Sequence, residues 1–182
     1  MDTSSLRRTI NSRSDIENIC RFHSQELKVP LNEDPFAFLF ALCGQESSFG
    51  ANNIPRYEAA YAPNGIYYAK NKMVKEAYSE YGAPASCSYG PTQIMYIVAR
   101  ELGYPAEKHP LDLSDGKISI PYTVQLLNKN FYQGANNIDL MAACYNGGLG
   151  ALKKQNDQVK DYIQKFRLIY LNYKFHTYGG GF

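Results

Sequence analysis

The feature that most constrains this sequence is an almost wholly apolar segment that ends in an acidic residue. Residues 34–41 read Asp-Pro-Phe-Ala-Phe-Leu-Phe-Ala, and residues 42–50 read Leu-Cys-Gly-Gln-Glu-Ser-Ser-Phe-Gly. Asp34 is suited to the cap of a helix and Pro35 to its first position, where the missing N–H costs nothing. A helix that is apolar on all sides belongs in the middle of a core. We therefore expect the other elements to pack around it.

This helix delivers a carboxylate, Glu46, at its C-terminal end. The negative pole of the backbone dipoles and the apolar neighbours both disfavour the ionised form, so we expect the pKa of Glu46 to be raised. A carboxyl that is protonated at neutral pH is what a general acid requires. The alternative is that Glu46 merely reaches solvent where the helix ends.

The composition is that of a soluble globular protein. Of the 182 residues, 45% are apolar and 20% are charged, which is ordinary for one domain with a real core. The net charge of +2 is too small to indicate binding to nucleic acid. Sixteen Tyr and no Trp favour a cleft for polar, ring-bearing ligands such as sugars, although Tyr also fills ordinary cores. We expect a monomer.

Residues 1–8, Met-Asp-Thr-Ser-Ser-Leu-Arg-Arg, lack the apolar run of a secretory signal. No segment has the length and apolarity of a membrane span. We therefore expect the chain to have neither a signal peptide nor a transmembrane helix.

The four cysteines, Cys20, Cys43, Cys87 and Cys144, are scattered and include no C-x-x-C pair. This pattern predicts free thiols made in a reducing compartment rather than a disulfide framework. Cys20 and His23 are three residues apart, but no second pair has the spacing of a zinc site. The sequence therefore predicts no metal and no cofactor.

Apolar periodicity predicts a mainly α fold, a single compact domain over residues 14–176, with flexible segments at 1–13 and 177–182. Ser14 or Asp15 is expected to cap a first helix that runs to about Lys28. The loop at residues 50–65 is expected to cover a cleft, with a short β-hairpin near Tyr57 to Tyr68. The further predicted helices cover residues 66–81, 91–102, 118–132 and 138–145, and a last one starts near 156 or 157.

Four short motifs lie at the predicted helix boundaries. Glu46 and Ser47 end the central helix, residues 90–94 read Gly-Pro-Thr-Gln-Ile, residues 143–148 read Ala-Cys-Tyr-Asn-Gly-Gly, and Tyr162 lies in the last helix. Their order resembles the soluble lytic transglycosylase family (SLT, similar to goose-type lysozyme). That family of peptidoglycan-cleaving enzymes is marked by E-S, G-L-M-Q-I, A-Y-N-G-G and a final Tyr.

The resemblance covers residues 34–170 and implies a lysozyme-like domain that acts on peptidoglycan glycan strands. By position, Glu46 would be the catalytic acid/base and Ser47 would lie beside it in the cleft. Gly90 and Gln93 would line the floor, with Gln93 donating to a sugar N-acetyl group or to the backbone.

The resemblance further implies that Tyr145 and Asn146 hold the glycan and that the Tyr162 hydroxyl reaches Glu46. For Tyr162 the alternative is simple core packing. Two motifs depart from the family pattern: Pro and Thr replace Leu and Met after Gly90, and Cys144 is inserted between Ala and Tyr in the A-Y-N-G-G motif.

The segment between Glu46 and Gly90 is longer than in many family members, so the family pattern does not fix the substrate-binding surface on this side. It carries Glu58, which we place among the substrate-binding residues. Arg56, Tyr57 and Tyr61 are expected to hold Glu58 by a salt bridge and hydrogen bonds.

The implied reaction cleaves the bond between N-acetylmuramic acid and N-acetylglucosamine without water, giving a 1,6-anhydro product with Glu46 as the single acid/base. Alternatives are a goose-type lysozyme with Glu58 or Asp115 as second carboxylate, a non-catalytic glycan-binding domain, and a cysteine hydrolase built on Cys43 or Cys144. A cell-wall enzyme without a signal suggests a phage lysin, a virion-associated enzyme or a dedicated release route.

Overall fold

The central apolar helix forms as its sequence predicts. The computed structural model describes residues 11–178, and in it helix α2 spans Pro35–Ser47. The Asp34 carboxylate accepts a hydrogen bond from the Ala37 N–H at 3.0 Å and thereby caps the helix. Every residue from Phe36 to Cys43 is buried. The helix ends where Ser48 and Phe49 turn to positive φ, 51° and 57°.

Helices make up most of the described residues, and the last of them, α8 (Asp157–Tyr178), makes the largest helix contact with α2. The other helices are α1 (Arg13–His23), α3 (Ile66–Lys70), α4 (Lys72–Tyr81), α5 (Tyr96–Glu101), α6 (Gly116–Tyr132), α7 (Ile138–Gly147) and α8 (Asp157–Tyr178).

Two of the predicted helices have different bounds in the structure. Helix α1 begins at Arg13 because Ser12, not Ser14 or Asp15, caps it in a reciprocal capping box with Asp15. It ends at His23, where a single 3₁₀ turn follows, and does not continue to Lys28.

The predicted helix over residues 66–81 is interrupted at Asn71. This residue is extended, with φ −116° and ψ 117°, and its side chain accepts hydrogen bonds from the first N–H groups of α4. An Asn side chain competes with the helical backbone in this way, so one predicted helix becomes α3 and α4.

A small antiparallel sheet accompanies the helices. Its strands are β1 (Arg56–Tyr57), β2 (Cys87–Tyr89) and β3 (Ile94–Met95), in the order β1-β2-β3. The mainly α fold with a small hairpin is confirmed, but the hairpin is β2–β3 rather than a pairing within 57–68. Ser88 of β2 pairs with Arg56 on one side and Met95 on the other.

The segment at residues 90–93 is a turn between β2 and β3, so the prediction that Pro91 opens a helix is wrong. The Gln93 N–H donates to the Gly90 carbonyl at 3.0 Å, and both residues have positive φ, 52° and 78°. Proline fits the first corner of a turn as well as the first turn of a helix, which is why the sequence signal misled. The helix begins at Tyr96 instead.

Buried apolar side chains form two clusters in one compact domain. The larger cluster joins α1, α2, α6, α7 and α8, and the smaller one joins α4, α5, β2 and β3. Of the predicted flexible segments, residues 1–10 and 179–182 lie outside the described residues. No helix in the described range 11–178 has the length and apolarity to cross a membrane.

Candidate active site

A cleft of about 530 Å³ runs past the C-terminal end of α2. Of the site residues predicted from the sequence, Glu46, Glu58, Gln93, Tyr145 and Asn146 line it. Ser47, Gly90 and Tyr162 are not among the lining residues. The remaining lining residues are Arg56, Ala60, Tyr61, Tyr67, Ser88, Met95, Val98, Glu101, Leu126, Lys129, Asn130, Gln133, Cys144, Gly147, Gly148 and Leu149.

The Glu46 carboxylate is held by two donors, one on each oxygen. The Tyr162 hydroxyl donates to Oε1 at 2.7 Å, and the Arg56 guanidinium donates to Oε2 at 3.2 Å. The same guanidinium also donates to the main-chain carbonyl of Glu46. Only 9% of the Glu46 side chain is exposed. The carboxyl therefore has a fixed orientation at the edge of the cleft.

Burial raises the pKa of Glu46 above its ordinary value. The hydrogen bond from Tyr162 and the charge of Arg56 act in the opposite direction, and the negative charge of Glu58 adds to the rise. The balance lies on the raised side, as the sequence predicts. A raised pKa extends the protonated form of the carboxyl to higher pH, which is what a general acid requires.

Tyr162 reaches Glu46 from α8 and also packs in the core. The expected contact with Glu46 is present, and the ring belongs to the larger apolar cluster. Burial and the neighbouring Glu46 raise the pKa of Tyr162. Its hydroxyl therefore keeps its proton at neutral pH and remains a donor.

Ser47 is buried and does not line the cleft. Its hydroxyl lies 2.7 Å from the Pro91 carbonyl and 3.0 Å from the Cys43 carbonyl, and it accepts a hydrogen bond from the Gly50 N–H. Ser47 therefore links the end of α2 to the turn at residues 90–93.

Gly90 is packed against α6 rather than facing the cleft. A Cβ at this position would lie 2.4 Å from the Ser119 Oγ and 2.5 Å from the Leu113 carbonyl oxygen, so no side chain fits without displacing backbone. Its positive φ also favours glycine. The turn can therefore approach α6 closely only with glycine here.

Gln93 faces the cleft with both ends of its amide engaged. Its Nε2 donates to the Gly90 carbonyl and its Oε1 accepts from the Ser88 hydroxyl, both at 3.0 Å. The Tyr145 hydroxyl donates to the Thr92 carbonyl at 2.8 Å and so joins α7 to the same turn. Asn146, the next residue of α7, is exposed in the cleft.

Comparison with known families matches residues 31–167 to the transglycosylase SLT domain. This chain belongs to that family. No curated protein and no solved structure matches it. Membership indicates a lysozyme-like domain that acts on peptidoglycan.

Arg56 lines the cleft of this SLT domain, and sequence reasoning assigned it the wrong partner. The sequence predicts a salt bridge between Arg56 and Glu58, two positions away. In the structure Arg56 bonds Glu46 instead, and the Glu58 carboxylate makes no salt bridge among the described residues. The strand register at Arg56↔Ser88, which directs the side chain, has no local sequence signal.

The SLT cleft also contains a tyrosine pair that the sequence indicates only through its turn-rich, aromatic loop. The rings of Tyr61 and Tyr67 stack with centroids 4.6 Å apart. Asp115, the other candidate second carboxylate, caps α6 by accepting from the Lys117 N–H and does not line the cleft.

The burial of Cys43 and Cys144 in the SLT domain argues against a cysteine hydrolase built on either residue. Cys43 is fully buried, with its sulfur 3.7 Å from that of Cys20, and burial raises the pKa of its thiol. Cys144 lines the cleft, but burial raises the pKa of its thiol as well, which disfavours a nucleophilic thiolate. Among residues 11–178 no cluster of His, Cys, Asp and Glu could hold a metal ion.

Proposed function

We propose that this SLT domain is a lytic transglycosylase. It would cleave the β-1,4 bond between N-acetylmuramic acid and N-acetylglucosamine without water and release 1,6-anhydromuropeptides. The observation that carries the proposal is the buried Glu46 carboxyl, which has a raised pKa, lies at the cleft and is oriented by donors on both oxygens.

In the first step protonated Glu46 gives its proton to the glycosidic oxygen as the bond to C1 of the muramyl residue breaks. The N-acetyl group of the same sugar supports the developing positive charge. Ionised Glu46 then takes the proton of the C6 hydroxyl, whose oxygen bonds to C1 and closes the anhydro ring. Glu46 ends protonated, and no water is consumed.

The cleft residues support this sequence by holding the glycan. The Gln93 amide is locked by Ser88 and Gly90, and Tyr145 is locked by Thr92, so the surface beside Glu46 is preorganised. Asn146 is exposed in the cleft and free to contact a sugar. The stacked rings of Tyr61 and Tyr67 supply an aromatic wall.

A hydrolytic lysozyme is the second candidate because Glu58 also lines the cleft. Its negative charge acts on the pKa of Glu46, so the two carboxylates are electrostatically coupled. As a base, Glu58 would activate water in place of the C6 hydroxyl.

Glu46→Gln tests the proposed acid. The substitution keeps the shape of the side chain but cannot carry a proton, so release of muropeptides from purified peptidoglycan should fall by at least ~100-fold. The melting temperature should be unchanged or higher at neutral pH, since a desolvated carboxyl is removed.

Glu76→Gln, the same change at an exposed ion pair with Lys72 on α4, is the matched control and should keep full activity. Retention of most activity by Glu46→Gln would refute the assignment. Binding of glycan without any release by the wild-type domain would indicate the non-catalytic alternative.

A further inference from the structure

The Arg56 side chain links the sheet to the C-terminal end of helix α2, which carries Glu46. It lies in the edge strand β1, opposite Ser88 of β2. Its guanidinium contacts Glu46 twice, at the carboxylate Oε2 and at the main-chain carbonyl. Half of the Arg56 side chain is exposed, against 9% for Glu46. The contact therefore forms the boundary between the buried acid and the open cleft.

The hydrogen bond from Arg56 to the main-chain carbonyl of Glu46 supplies a donor that helix α2 itself does not provide. The last four carbonyls of an α-helix have no intrahelical partner, and a cation at this end interacts favourably with the helix dipole. The Arg56 guanidinium supplies both a donor and a positive charge there. The position of strand β1 and the end of α2 are thereby coupled.

The contact with the carboxylate complements that of Tyr162. Each of the two donors occupies a different oxygen of Glu46, so rotation of the carboxyl breaks one or both hydrogen bonds. Tyr162 approaches from the core and Arg56 from the cleft. Orientation of the proton-transferring oxygen toward the substrate is one of the larger contributions to catalysis.

We propose that Arg56 is a positioning residue for Glu46: it fixes the carboxyl in the cleft and stabilises the ionised form that is left once the proton has been given to the leaving oxygen. This inference rests on the proposed function, in which Glu46 must act first as an acid and then as a base. Without Arg56, protonated Glu46 would be a weaker acid, because its ionised form would lose a stabilising charge.

The charges around Glu46 support this assignment. Burial and the charge of Glu58 favour the neutral form, whereas the hydrogen bond from Tyr162 and the charge of Arg56 favour the ionised form and lower the pKa. The titratable and charged groups that face Glu46 are Cys43 on its own helix, Arg56 of β1, Glu58 of the following loop, Tyr145 of α7 and Tyr162 of α8.

The test compares Arg56→Met, Arg56→Lys and a control, Arg21→Met. Arg21 has a similarly exposed side chain, 54%, and forms an ion pair with Glu17 on α1, outside the cleft. For each variant, kcat and KM are measured against pH on soluble glycan strands. The Glu46 carboxyl is also titrated by ¹³C NMR without substrate, with Glu46→Gln used to assign its signal.

In Arg56→Met, kcat at the pH optimum should fall by about tenfold, with KM changed less than about twofold. The alkaline limb of the rate profile, where Glu46 loses its proton, should move to higher pH, and the NMR midpoint should move with it. Arg56→Lys restores the charge and should return both midpoints toward the wild-type values. Arg21→Met should resemble the wild type.

An unshifted NMR midpoint in Arg56→Met would overturn the proposal, and so would a loss confined to KM, which would make Arg56 a substrate-binding residue. If Arg56→Met does not fold, Arg56→Gln takes its place, with the same expected shift. The titration needs no turnover. A wild-type domain without lytic activity would therefore refute the proposed function, while the Glu46 midpoint would still decide the effect of Arg56.

Discussion

Glu46 combines burial with two hydrogen-bond donors, and these influences oppose one another. Burial raises the pKa of the carboxyl, and Tyr162 and Arg56 lower it. Burial has the larger effect, so the pKa stays above its ordinary value. A residue that must give a proton and then recover it needs such a balance.

Tyr162→Phe tests the contribution of the second donor. The ring and its packing remain, while the hydroxyl that favours ionised Glu46 is lost. Turnover should fall roughly tenfold or more, within the range of a positioned hydrogen bond. The pKa of Glu46 should rise further, so the alkaline limb of the pH–rate profile should move to higher pH.

Thermal unfolding provides the control for Tyr162→Phe, because the melting temperature should change little when only a hydroxyl is removed. If turnover and pH profile both match the wild type, Tyr162 serves core packing alone. Because the hydroxyl already contacts Glu46, that outcome would mean that the contact has no catalytic consequence.

Glu46 and Arg56 show which features of the site could be predicted from the sequence and which could not. The apolar run ending at Glu46 predicts both its burial and the direction of its pKa shift, because both follow from neighbours along one helix. The pairing of Arg56 with Glu46 depends on the register between β1 and β2, whose partners are some thirty residues apart in the chain. Local patterns carry no information on that register.

At the level of elements, the start of α2 was predictable from side chains that act on their own backbone, whereas the cap at Ser12 and the break at Asn71 were missed although they act in the same local way. Asp34 and Pro35 start α2 as expected. The turn at residues 90–93 was not predictable, because its conformation depends on tertiary contacts: Gly90 packs against Ser119 of α6, and Ser47 bonds the Pro91 carbonyl. The same turn holds Gln93 in the cleft, so the wrong prediction of a helix at Pro91 affected a residue of the candidate site.

The interface between α1 and α2 provides a prediction about the cysteines. The sulfur atoms of Cys20 and Cys43 lie 3.7 Å apart across this interface, well beyond the ~2.05 Å of a disulfide bond. All four cysteines should therefore titrate as thiols after unfolding in a denaturant without reductant. Before unfolding they should react slowly, because all four are buried.

A melting curve with and without reductant accompanies the thiol count, and the two curves should coincide. A count of two thiols in place of four would show a disulfide, and the 3.7 Å contact identifies Cys20 and Cys43 as its members. That result would also contradict the expectation that the protein is made in a reducing compartment.

In the molecule as a whole, the cleft brings together carboxylates from different parts of the fold, among them Glu46 and Glu58. Glu46 ends the central helix, and Glu58 follows the edge strand β1, where its main-chain N–H donates to the Ser86 carbonyl at 2.9 Å. Because Arg56 bonds Glu46, the expected salt bridge to Glu58 is absent. The Glu58 side chain is exposed and lines the cleft, so its part in the reaction must be tested directly.

The released product distinguishes the two enzymes. If Glu46 works alone, mass spectrometry of the muropeptides should show species one water lighter than lysozyme products, because the C6 hydroxyl closes the anhydro ring. Glu58→Gln should then reduce activity by less than about tenfold, since only substrate binding and local electrostatics change. We expect this outcome, because Glu46 has the burial and both donors, whereas Glu58 has neither.

The pH profile of Glu58→Gln provides an independent check with the opposite sign to that of Arg56→Met. The negative charge of Glu58 raises the pKa of Glu46, so its removal should lower that pKa and move the alkaline limb to lower pH. A two-carboxylate lysozyme would behave differently. Its products would carry the added water, and Glu58→Gln would be as inactive as Glu46→Gln, because water would then have no base to activate it.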